Sequence, residues 1–338
     1  MRKSLTIIIP TYNMERYLEK CLSSLVADEK TMESLEALVV IDGATDGSEA
    51  IAQKFQAQHP ETFRVISKEN GNYGSCINRG LQEASGKYVK ILDADDSFDT
   101  ASLEKLVDFL GRTDVDLVIT DYRKVGEDGN VLDTPHFYTT AGKDLAFSAI
   151  KPKLSMEMHM VTYKTENLRH IGYRQTEKVS YTDQEWIFAP MISVSTLQYL
   201  DIVLYNYLWG REGQTMDPAV AAKSQAQLMK VCMAMAHTFE SLDTDSIHRA
   251  YLQERLHKNL LRIYRNFLLR CIVSDISPLV DFDAELMHAS PTMYKVTGSY
   301  MLNHVFPYVK LWRLFKYKHT PALLRKIYTG CKSVRNLK

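Results

Sequence analysis

The run Lys87–Asp96 is the stretch that most constrains this chain. Its apolar part is typical of a short buried strand, and it ends in three carboxylates, Asp93, Asp95 and Asp96. Three acids at the exit of a buried strand repel one another and are unfavourable to desolvate. A divalent cation resolves that conflict, because Mg²⁺ and Mn²⁺ prefer carboxylate oxygens. Alternatively, the acids form a solvated turn before a helix near Ala101.

The composition is that of a globular protein with a substantial core. The 338 residues are 45% hydrophobic and 24% charged, which suits one large or two moderate domains. The five cysteines show no paired spacing, and this favours a reducing compartment. The N-terminal apolar run is too short for a signal peptide, and no stretch has the length of a membrane span. We therefore expect a cytoplasmic protein.

Charge is distributed unevenly along the chain, although the formal net charge is zero. After Glu285 there are ten lysines and arginines and no acidic residue, so the preceding body is acidic. From Met301 onward, aromatic and aliphatic residues alternate with basic ones, as in segments that lie peripherally on an anionic membrane. Alternatively, this basic tail packs on the acidic body. Nucleic acid is not expected as a partner, because the acidic body repels phosphate.

Apolar runs alternate with helical patterns in the first third of the chain. This order predicts an α/β fold with a mostly parallel central sheet flanked by helices. One helix is predicted to begin with a capping box formed by Asp46 and Glu49. Because ligands bind at the carboxyl ends of parallel strands, Thr11, Tyr12, Asp42 and the three acids are expected to line one crevice. The predicted strands are Leu5–Ile9, Ala37–Ile41, Phe63–Ile66, Tyr88–Leu92 and Val115–Thr120.

Two classes of phosphate-binding protein are disfavoured by the sequence. No G-x-G-x-x-G pattern follows the first strand, and no G-x-x-x-x-G-K-[ST] pattern occurs. A dinucleotide-binding fold or a P-loop phosphotransferase is therefore not expected.

Four segments of the chain occur together in a characteristic order: Ile7–Asn13, Val40–Asp46, Glu69–Asn78 with Gly80, and Ser85–Asp96. In sequence and order they resemble the inverting glycosyltransferases of family 2, which have the GT-A fold. The resemblance implies a GT-A domain at residues 1–216, with a nucleotide-sugar-binding half at 1–122 and an acceptor-side half at 123–216. Residues 217–338 are expected to form a helical, basic extension whose helices could also support an oligomer.

The resemblance also implies roles for single residues. Thr11 and Tyr12 would hold the nucleobase of the donor, usually uracil, and Asp42 would hydrogen-bond to its edge. Asp93 and Asp95 would hold Mn²⁺ or Mg²⁺, which bridges the donor diphosphate. The full set of implied donor contacts is Pro10, Thr11, Tyr12, Asp42, Asn78, Asp93, Ala94 and Arg211.

Asp183 is the predicted general base. Inverting transfer needs a carboxylate, opposite the leaving diphosphate, that takes the proton of the acceptor hydroxyl. Members of the family have an acidic pair at this point, and Asp183 matches its second acid. Thr182 and Glu185 have capping-box spacing, which predicts an apolar helix beginning at Asp183, whose N-terminus keeps the carboxylate ionised. Alternatively, Asp183 is simply an acid favoured in a first helical turn.

These expectations combine into one functional hypothesis. The chain would transfer a sugar from a UDP-sugar to a glycan or lipid-linked acceptor in cell-surface polysaccharide synthesis, with membrane contact through its basic tail. One alternative is a non-catalytic glycan-binding or scaffolding relative, against which Asp93, Asp95 and Asp183 argue. Another is a sugar-nucleotide pyrophosphorylase, which usually has a glycine-rich loop after the first strand that this sequence lacks.

Overall fold

The computed structural model describes residues 3–137, 140–154, 156–210, 224–270, 272–273, 275–302, 306–317 and 326. Close packing divides the chain into two compact units, residues 1–214 and 215–338. In the described chain, the ten-stranded sheet belongs to the first unit, and the second unit is helical.

The first unit is built on one sheet with helices between its strands. The strands are β1 (Leu5–Thr11), β2 (Leu35–Asp42), β3 (Phe63–Lys68), β4 (Tyr88–Ile91), β5 (Ser97–Phe98), β6 (Leu117–Val125), β7 (Val131–Asp133), β8 (Asp144–Ala146), β9 (Val161–Lys164) and β10 (Thr196–Leu208). The helices are α1 (Glu15–Ser23), α2 (Glu29–Ser34), α3 (Ser48–Gln58), α4 (Asn72–Glu83), α5 (Thr100–Arg112), α6 (Thr165–His170) and α7 (Asp183–Trp186).

The strand order of the sheet is β3-β2-β1-β4-β9-β6-β10-β5, with β7 on β6 and β8 on β10. The first four strands are parallel, as right-handed crossovers through α1, α3 and α4 require. β9 then runs antiparallel between β4 and β6. β10 runs parallel to β6, and β5, β7 and β8 add short antiparallel pairings. The predicted α/β fold is therefore confirmed, with antiparallel strands added to the parallel ones in the second half of the sheet.

β1, β2 and β4 end at one edge of the sheet. Thr11 lies in register with Ile41, and Ile8 with Ile91. β1 continues through Pro10, where the sequence predicted its end. β4 pairs with β1 only as far as Ile8, so the missing N–H of Pro10 removes no hydrogen bond to β4.

The predicted capping box before α3 is wrong. The helix begins at Ser48, and the Asp46 carboxylate accepts from the Ser48 N–H at 3.0 Å and from the Glu15 N–H at 2.9 Å. The Glu49 carboxylate instead accepts from the Ser67 hydroxyl. Asp46 thus joins the first turns of α1 and α3, since both helix starts offer unpaired backbone donors.

The second unit packs five described helices around a buried ion pair. Asp283 is fully buried and accepts two hydrogen bonds through Oδ1 from Arg313, at 2.6 and 3.0 Å. Tyr264 and Tyr317 donate their hydroxyls to the same carboxylate. The helices are α8 (Gln225–Glu240), α9 (Arg249–Leu268), α10 (Ser277–Ala289), α11 (Pro291–Ser299) and α12 (Tyr308–Leu314).

Among the described residues, the search for a helix with the length and apolar character of a membrane span finds none.

Candidate active site

The three acids that follow β4 lie together at the carboxyl edge of the sheet. Asp93, Asp95 and Asp96 each place a carboxylate oxygen within 4.8 Å of the others. The Asp96 N–H donates to the Asp93 carbonyl at 3.0 Å and closes the turn. Carboxylate oxygens at this spacing suit a hard divalent cation such as Mg²⁺ or Mn²⁺.

Two tyrosines that the sequence did not reveal hold this turn. Tyr73, near the start of α4, donates to Asp93 Oδ1 at 2.7 Å. Tyr205 of β10 donates to Asp96 Oδ2 at 2.7 Å and accepts from the Asp93 N–H at 3.1 Å. Burial, followed by the charges of neighbouring aspartates, raises the pKa of both phenols well above the usual range. Both hydroxyls therefore stay protonated and act as donors.

Asp96 differs from its two neighbours in being buried, with 2% of its surface exposed. Its Oδ1 accepts from the Leu208 N–H at 2.7 Å, and its Oδ2 from Tyr205. Burial, and then the charges of Asp95 and Asp93, raises the pKa of Asp96 well above its ordinary value. Asp93 and Asp95, the two predicted metal ligands, are half-buried.

The residues predicted to hold the nucleobase lie at the ends of β1 and β2. Tyr12 is 49% exposed, whereas Thr11 is buried and donates to the Ile9 carbonyl at 3.1 Å. Pro10 is half-buried and Asp42 is buried. An exposed ring close to a buried acid can stack on a base while the acid reads the edge of that base.

Lys68 is a third feature that sequence reasoning missed. It ends β3 directly beside Asp42 in the sheet register, so the strand pairing itself would have revealed it. Its ammonium donates to Asp42 Oδ1 at 2.5 Å and to the Ser75 hydroxyl at 2.8 Å. The Gly71 N–H donates to the same carboxylate oxygen at 2.9 Å. The buried Cys76 thiol lies near this carboxylate, and burial, followed by the Asp42 charge, raises its pKa to about 12.

The side chain of Asn78 is hydrogen-bonded to a loop and does not line an open crevice. Its Oδ1 accepts from the Gln175 N–H at 2.8 Å, and its Nδ2 donates to the Gln175 carbonyl and to the Glu177 carboxylate, both at 2.9 Å. These contacts give Asn78 a structural role in placing residues 174–182, here called the 174–182 loop. Its predicted contact with the donor stays a prediction.

The 174–182 loop is fitted closely to the start of α4. A Cβ atom on Gly74 would lie 2.2 Å from the Thr176 carbonyl oxygen, so only glycine permits this approach. The Lys178 N–H donates to the Gly71 carbonyl at 3.0 Å. Lys178 and Tyr181 both have positive φ, at 61° and 68°, an unfavourable conformation that the surrounding contacts must stabilise.

Asp183 follows this loop at the start of α7, which is a single turn. The predicted capping box and longer apolar helix are wrong. Thr182 makes no side-chain cap, and Glu185 accepts from the Thr176 N–H at 2.8 Å and its hydroxyl at 2.6 Å. Glu185 therefore fixes the loop, whereas the half-buried Asp183 carboxylate accepts from the Gln184 amide at 2.7 Å.

The charge of Asp183 acts on two tyrosines that the acids after β4 also influence. After burial, the charges of Asp93 and Asp183 both raise the pKa of Tyr73, and both also raise that of Tyr207. The Tyr207 ring stacks on His159 with centroids 4.5 Å apart. Asp183 and the acidic turn thus influence the same two hydroxyls, although they lie far apart in the sequence.

The last two residues predicted to contact the nucleotide-sugar donor are Ala94 and Arg211. Ala94 is buried within the acidic turn, with 2% of its surface exposed. Arg211 lies outside the described residues, and its predicted contact with the diphosphate stays a prediction.

Comparisons with known proteins agree with this architecture. A family model described as glycosyl transferase family 2 matches residues 6–172. The putative glycosyltransferase EpsH of Bacillus subtilis is 33% identical over 287 residues, which are 80% of this chain and 74% of EpsH. An uncharacterized glycosyltransferase of Mycoplasma pneumoniae, the MG060 homolog, is 28% identical over 68% of this chain and 76% of its own length.

Solved structures show the same fold at lower sequence identity. S. aureus TarS 1-349 in complex with UDP-GlcNAc aligns with a TM-score of 0.69 and 22% identity, over 86% of this chain and 83% of that one. The mannosyltransferase PcManGT from Pyrobaculum calidifontis, in complex with GDP-Man and Mn²⁺, aligns with a TM-score of 0.54 and 17% identity, over 100% of this chain and 88% of that one. This chain is therefore a glycosyltransferase with the GT-A fold and belongs to glycosyl transferase family 2.

Proposed function

We propose that this chain is a metal-dependent, inverting glycosyltransferase that uses a UDP-sugar donor and a glycan or lipid-linked acceptor. The observation that carries the proposal is the cluster of Asp93, Asp95 and Asp96, and it is supported by the charge of Asp183 acting on Tyr73, which donates to Asp93. Asp93 and Asp95 suit the binding of a metal–diphosphate, and Asp183 suits the abstraction of a proton. TarS with UDP-GlcNAc and PcManGT with GDP-Man and Mn²⁺ support a nucleotide-sugar donor and a divalent cation.

In this proposal the donor diphosphate lies against Asp93 and Asp95. A cation bound there, Mn²⁺ or Mg²⁺, would offset the negative charge that grows on the diphosphate as its bond to the sugar breaks. Tyr73 keeps Asp93 oriented by donating to its Oδ1. The leaving electron pair goes to the nucleoside diphosphate, so no covalent intermediate with the protein is needed.

Asp183 is proposed as the general base of the same reaction. It accepts the proton of the acceptor hydroxyl while that oxygen attacks the anomeric carbon on the face opposite the diphosphate. The Gln184 amide donates to Asp183 Oδ2 and orients the carboxylate. The single displacement inverts the anomeric configuration.

Uracil is the base that the Asp42 carboxylate suits best. Lys68 and Gly71 both donate to Oδ1, so Oδ2 is the oxygen that a ligand can use. Uracil presents one ring N–H between two carbonyls and needs one acceptor. Guanine presents adjacent ring N–H and amino donors, which a carboxylate matches best through both oxygens.

Replacement of the proposed base tests this function. We expect Asp183→Asn to lower kcat about 10²–10⁴-fold, the usual contribution of a general base, with the Kd for UDP in the presence of Mn²⁺ unchanged. Sugar transfer and anomeric configuration would be followed by NMR, and UDP binding by calorimetry. Asp133→Asn, at an exposed position of β7, is the matched control and should behave like the unaltered chain. Normal turnover of Asp183→Asn would remove Asp183 from the mechanism.

We also propose peripheral contact with anionic membrane lipids, on a smaller surface than the sequence indicated. Tyr308 and Trp312, counted there among the lipid-facing aromatics, are buried in the second unit. Leu314 and Phe315 remain 64% and 49% exposed beside basic residues such as Lys316. Flotation with anionic liposomes should recover the unaltered chain and lose the double variant Leu314→Ser/Phe315→Ser. Equal recovery of both would contradict this membrane contact.

A further inference from the structure

Asp96 and Tyr205 form a pair of hydrogen-bonded side chains directly behind the acidic turn. Both residues are buried, with 2% and 0% of their surface exposed. The Tyr205 hydroxyl donates to Asp96 Oδ2 at 2.7 Å and at the same time accepts from the Asp93 N–H at 3.1 Å. One hydroxyl thus joins the side chain of one acid to the backbone of another.

Asp96 carries a carboxylate of the kind that binds metals, but both of its oxygens already take part in hydrogen bonds. Although it lies within 4.8 Å of Asp93 and Asp95, each of its oxygens already accepts a hydrogen bond, from Tyr205 and from the Leu208 N–H. If the carboxylate rotated to reach a cation and gave up either of these bonds, a buried donor would be left without a partner, which costs about 1–3 kcal/mol.

The same contacts tie the acidic turn to the end of β10. Tyr205 and Asn206 of β10 pair with Phe98 and Ser97 of β5, the two-residue strand that follows Asp96. The Tyr205 ring also packs on Phe98, with centroids 5.4 Å apart. The turn that carries Asp93 and Asp95 is therefore held on its inner side by a strand more than 100 residues further along the chain.

We propose that Tyr205 and Asp96 are positioning residues that hold Asp93 and Asp95 in the geometry that binds the metal–diphosphate. Asp96 is on this account not a ligand. The inference rests on the proposed function, because it assigns these two residues to the same metal–donor site. Hydrogen-bonding partners behind metal ligands typically change metal affinity 10–100-fold when they are removed.

Tyr205→Phe tests the proposal with little change in packing. The variant keeps the ring that contacts Phe98 and removes only the hydroxyl that joins Asp96 to Asp93. We expect the Kd for Mn²⁺, measured by calorimetry and by Mn²⁺ electron paramagnetic resonance in the presence of UDP, to rise 10–100-fold. The measurement needs no turnover and is therefore independent of the acceptor.

Tyr199→Phe is the matched control. Tyr199 is also buried on β10, and its hydroxyl donates to the buried Asp121 carboxylate at 2.7 Å, away from the acidic turn. Both variants lose a tyrosine–aspartate hydrogen bond, so a general loss of stability should appear in both melting temperatures. Only Tyr205→Phe should weaken Mn²⁺ binding.

Asp96→Asn provides a second variant that distinguishes positioning from ligation. A positioning role predicts that it weakens Mn²⁺ binding to the same extent as Tyr205→Phe, and that the double variant is no worse than either single one. If Asp96 were a ligand, Asp96→Asn would weaken binding while Tyr205→Phe would not, and that result overturns the proposal.

The remaining outcomes separate this inference from the function on which it rests. Tight Mn²⁺ binding by both the unaltered chain and Tyr205→Phe would overturn the inference and leave the proposed function standing. Equal weakening in Tyr205→Phe and Tyr199→Phe would also overturn it, because the effect would then follow stability. Absence of Mn²⁺-dependent UDP binding in the unaltered chain would overturn both.

Discussion

At the scale of single residues, the contact between Lys68 and Asp42 determines which carboxylate oxygen of Asp42 can accept a hydrogen bond from a ligand. The lysine ammonium and the Gly71 N–H both donate to Asp42 Oδ1, so Oδ2 is the oxygen that we propose for contact with the base. A carboxylate restricted in this way favours a partner with a single N–H donor. In the proposed site, recognition of the donor base therefore depends on the pair and not on Asp42 alone.

We predict that Lys68→Met changes the choice of nucleotide. Removal of the ammonium leaves the Gly71 N–H as the donor to Asp42 Oδ1, so this oxygen gains a place for one of the two adjacent donors of guanine while Oδ2 accepts the other. The ratio of the Kd for GDP to the Kd for UDP should fall about tenfold, equivalent to about 1.4 kcal/mol. Calorimetric titration of both nucleotides measures it, with Lys68→Arg and the exposed Lys54→Met as controls. An unchanged ratio would contradict the assignment.

Lys90 is a buried cation that the proposed mechanism does not use. It is fully buried in β4, and its ammonium donates to the His159 and Val161 carbonyls at 2.7 and 3.2 Å. Its other close neighbours are the rings of Phe98 and Tyr205, each 6.0 Å from the ammonium. Burial lowers its pKa to about 7.

This lowered pKa predicts that stability rises with pH. Between pH 7 and 9 the unfolded lysine, with an ordinary pKa of about 10.4, binds more protons than the folded one, so raising the pH favours the folded state. The free energy of unfolding should increase by about 2 kcal/mol more in the unaltered chain than in Lys90→Met. Urea unfolding at both pH values measures the difference, and the exposed Lys105→Met is the control. A difference of zero or of opposite sign would show that Lys90 is charged in the folded chain.

At the scale of elements, the 174–182 loop decides where the proposed base lies. Local sequence rules predicted a capped helix here, because Thr182 and Glu185 have the spacing of a capping box. Glu185 instead accepts two hydrogen bonds from Thr176, and α7 ends after one turn. Hydrogen bonds from Thr176, nine residues away, engage the carboxylate in place of the local cap, so the contacts of the loop place Asp183.

Gly74→Ala tests the fit of this loop. The added Cβ would lie 2.2 Å from the Thr176 carbonyl oxygen, so the loop must move and Asp183 with it. We expect kcat to fall about 10²-fold, as displacements of about 1 Å can cause, while the Kd for UDP changes little. Gly111→Ala is the matched helical control, since its Cβ would meet only the Ser4 hydroxyl at 3.7 Å. That variant should keep full turnover and gain up to about 1 kcal/mol of stability; equal turnover in both variants would argue against a fixed loop.

At the scale of the whole molecule, part of the uneven charge of the sequence is used inside the fold and not on its surface. Arg313, one of the ten basic residues after Glu285, is not part of a solvated basic surface. It forms a buried ion pair with Asp283 and also donates to the Tyr294 carbonyl at 2.7 Å. Through Tyr264 and Tyr317 the pair connects α9, α10 and the segment after α12, so it helps to organise the second unit.

Breaking this ion pair should destabilise the second unit strongly. Arg313→Met leaves Asp283 buried without its charged partner, which costs about 3–5 kcal/mol. The double variant Asp283→Leu/Arg313→Met should cost less than the single one, because it leaves no uncompensated charge. Urea unfolding and limited proteolysis of all variants measure the effect, with Lys310→Met on the exposed side of α12 as the control. A single variant as stable as the unaltered chain would show that the pair contributes little.

Much of the fold, and the positions of the candidate site residues at strand ends, could be predicted from the sequence because they depend on local patterns. Apolar runs give the first strands, and the acids after β4 follow from the end of such a run. The resemblance of four segments to family 2 then indicated the GT-A fold, which the comparisons confirmed. Strand ends, capping and the direction of later strands were less predictable, since long-range partners compete with local ones.

The sequence by itself determined which acids are present and at which strand ends they stand, because strand pattern and residue order are local properties. Only the tertiary structure decided what each acid is free to do. Asp96 is engaged by Tyr205, 109 residues away, and Asp42 is restricted by Lys68 on the neighbouring strand. The availability of a carboxylate depends on which donors already contact it, and folding brings those donors from distant parts of the chain.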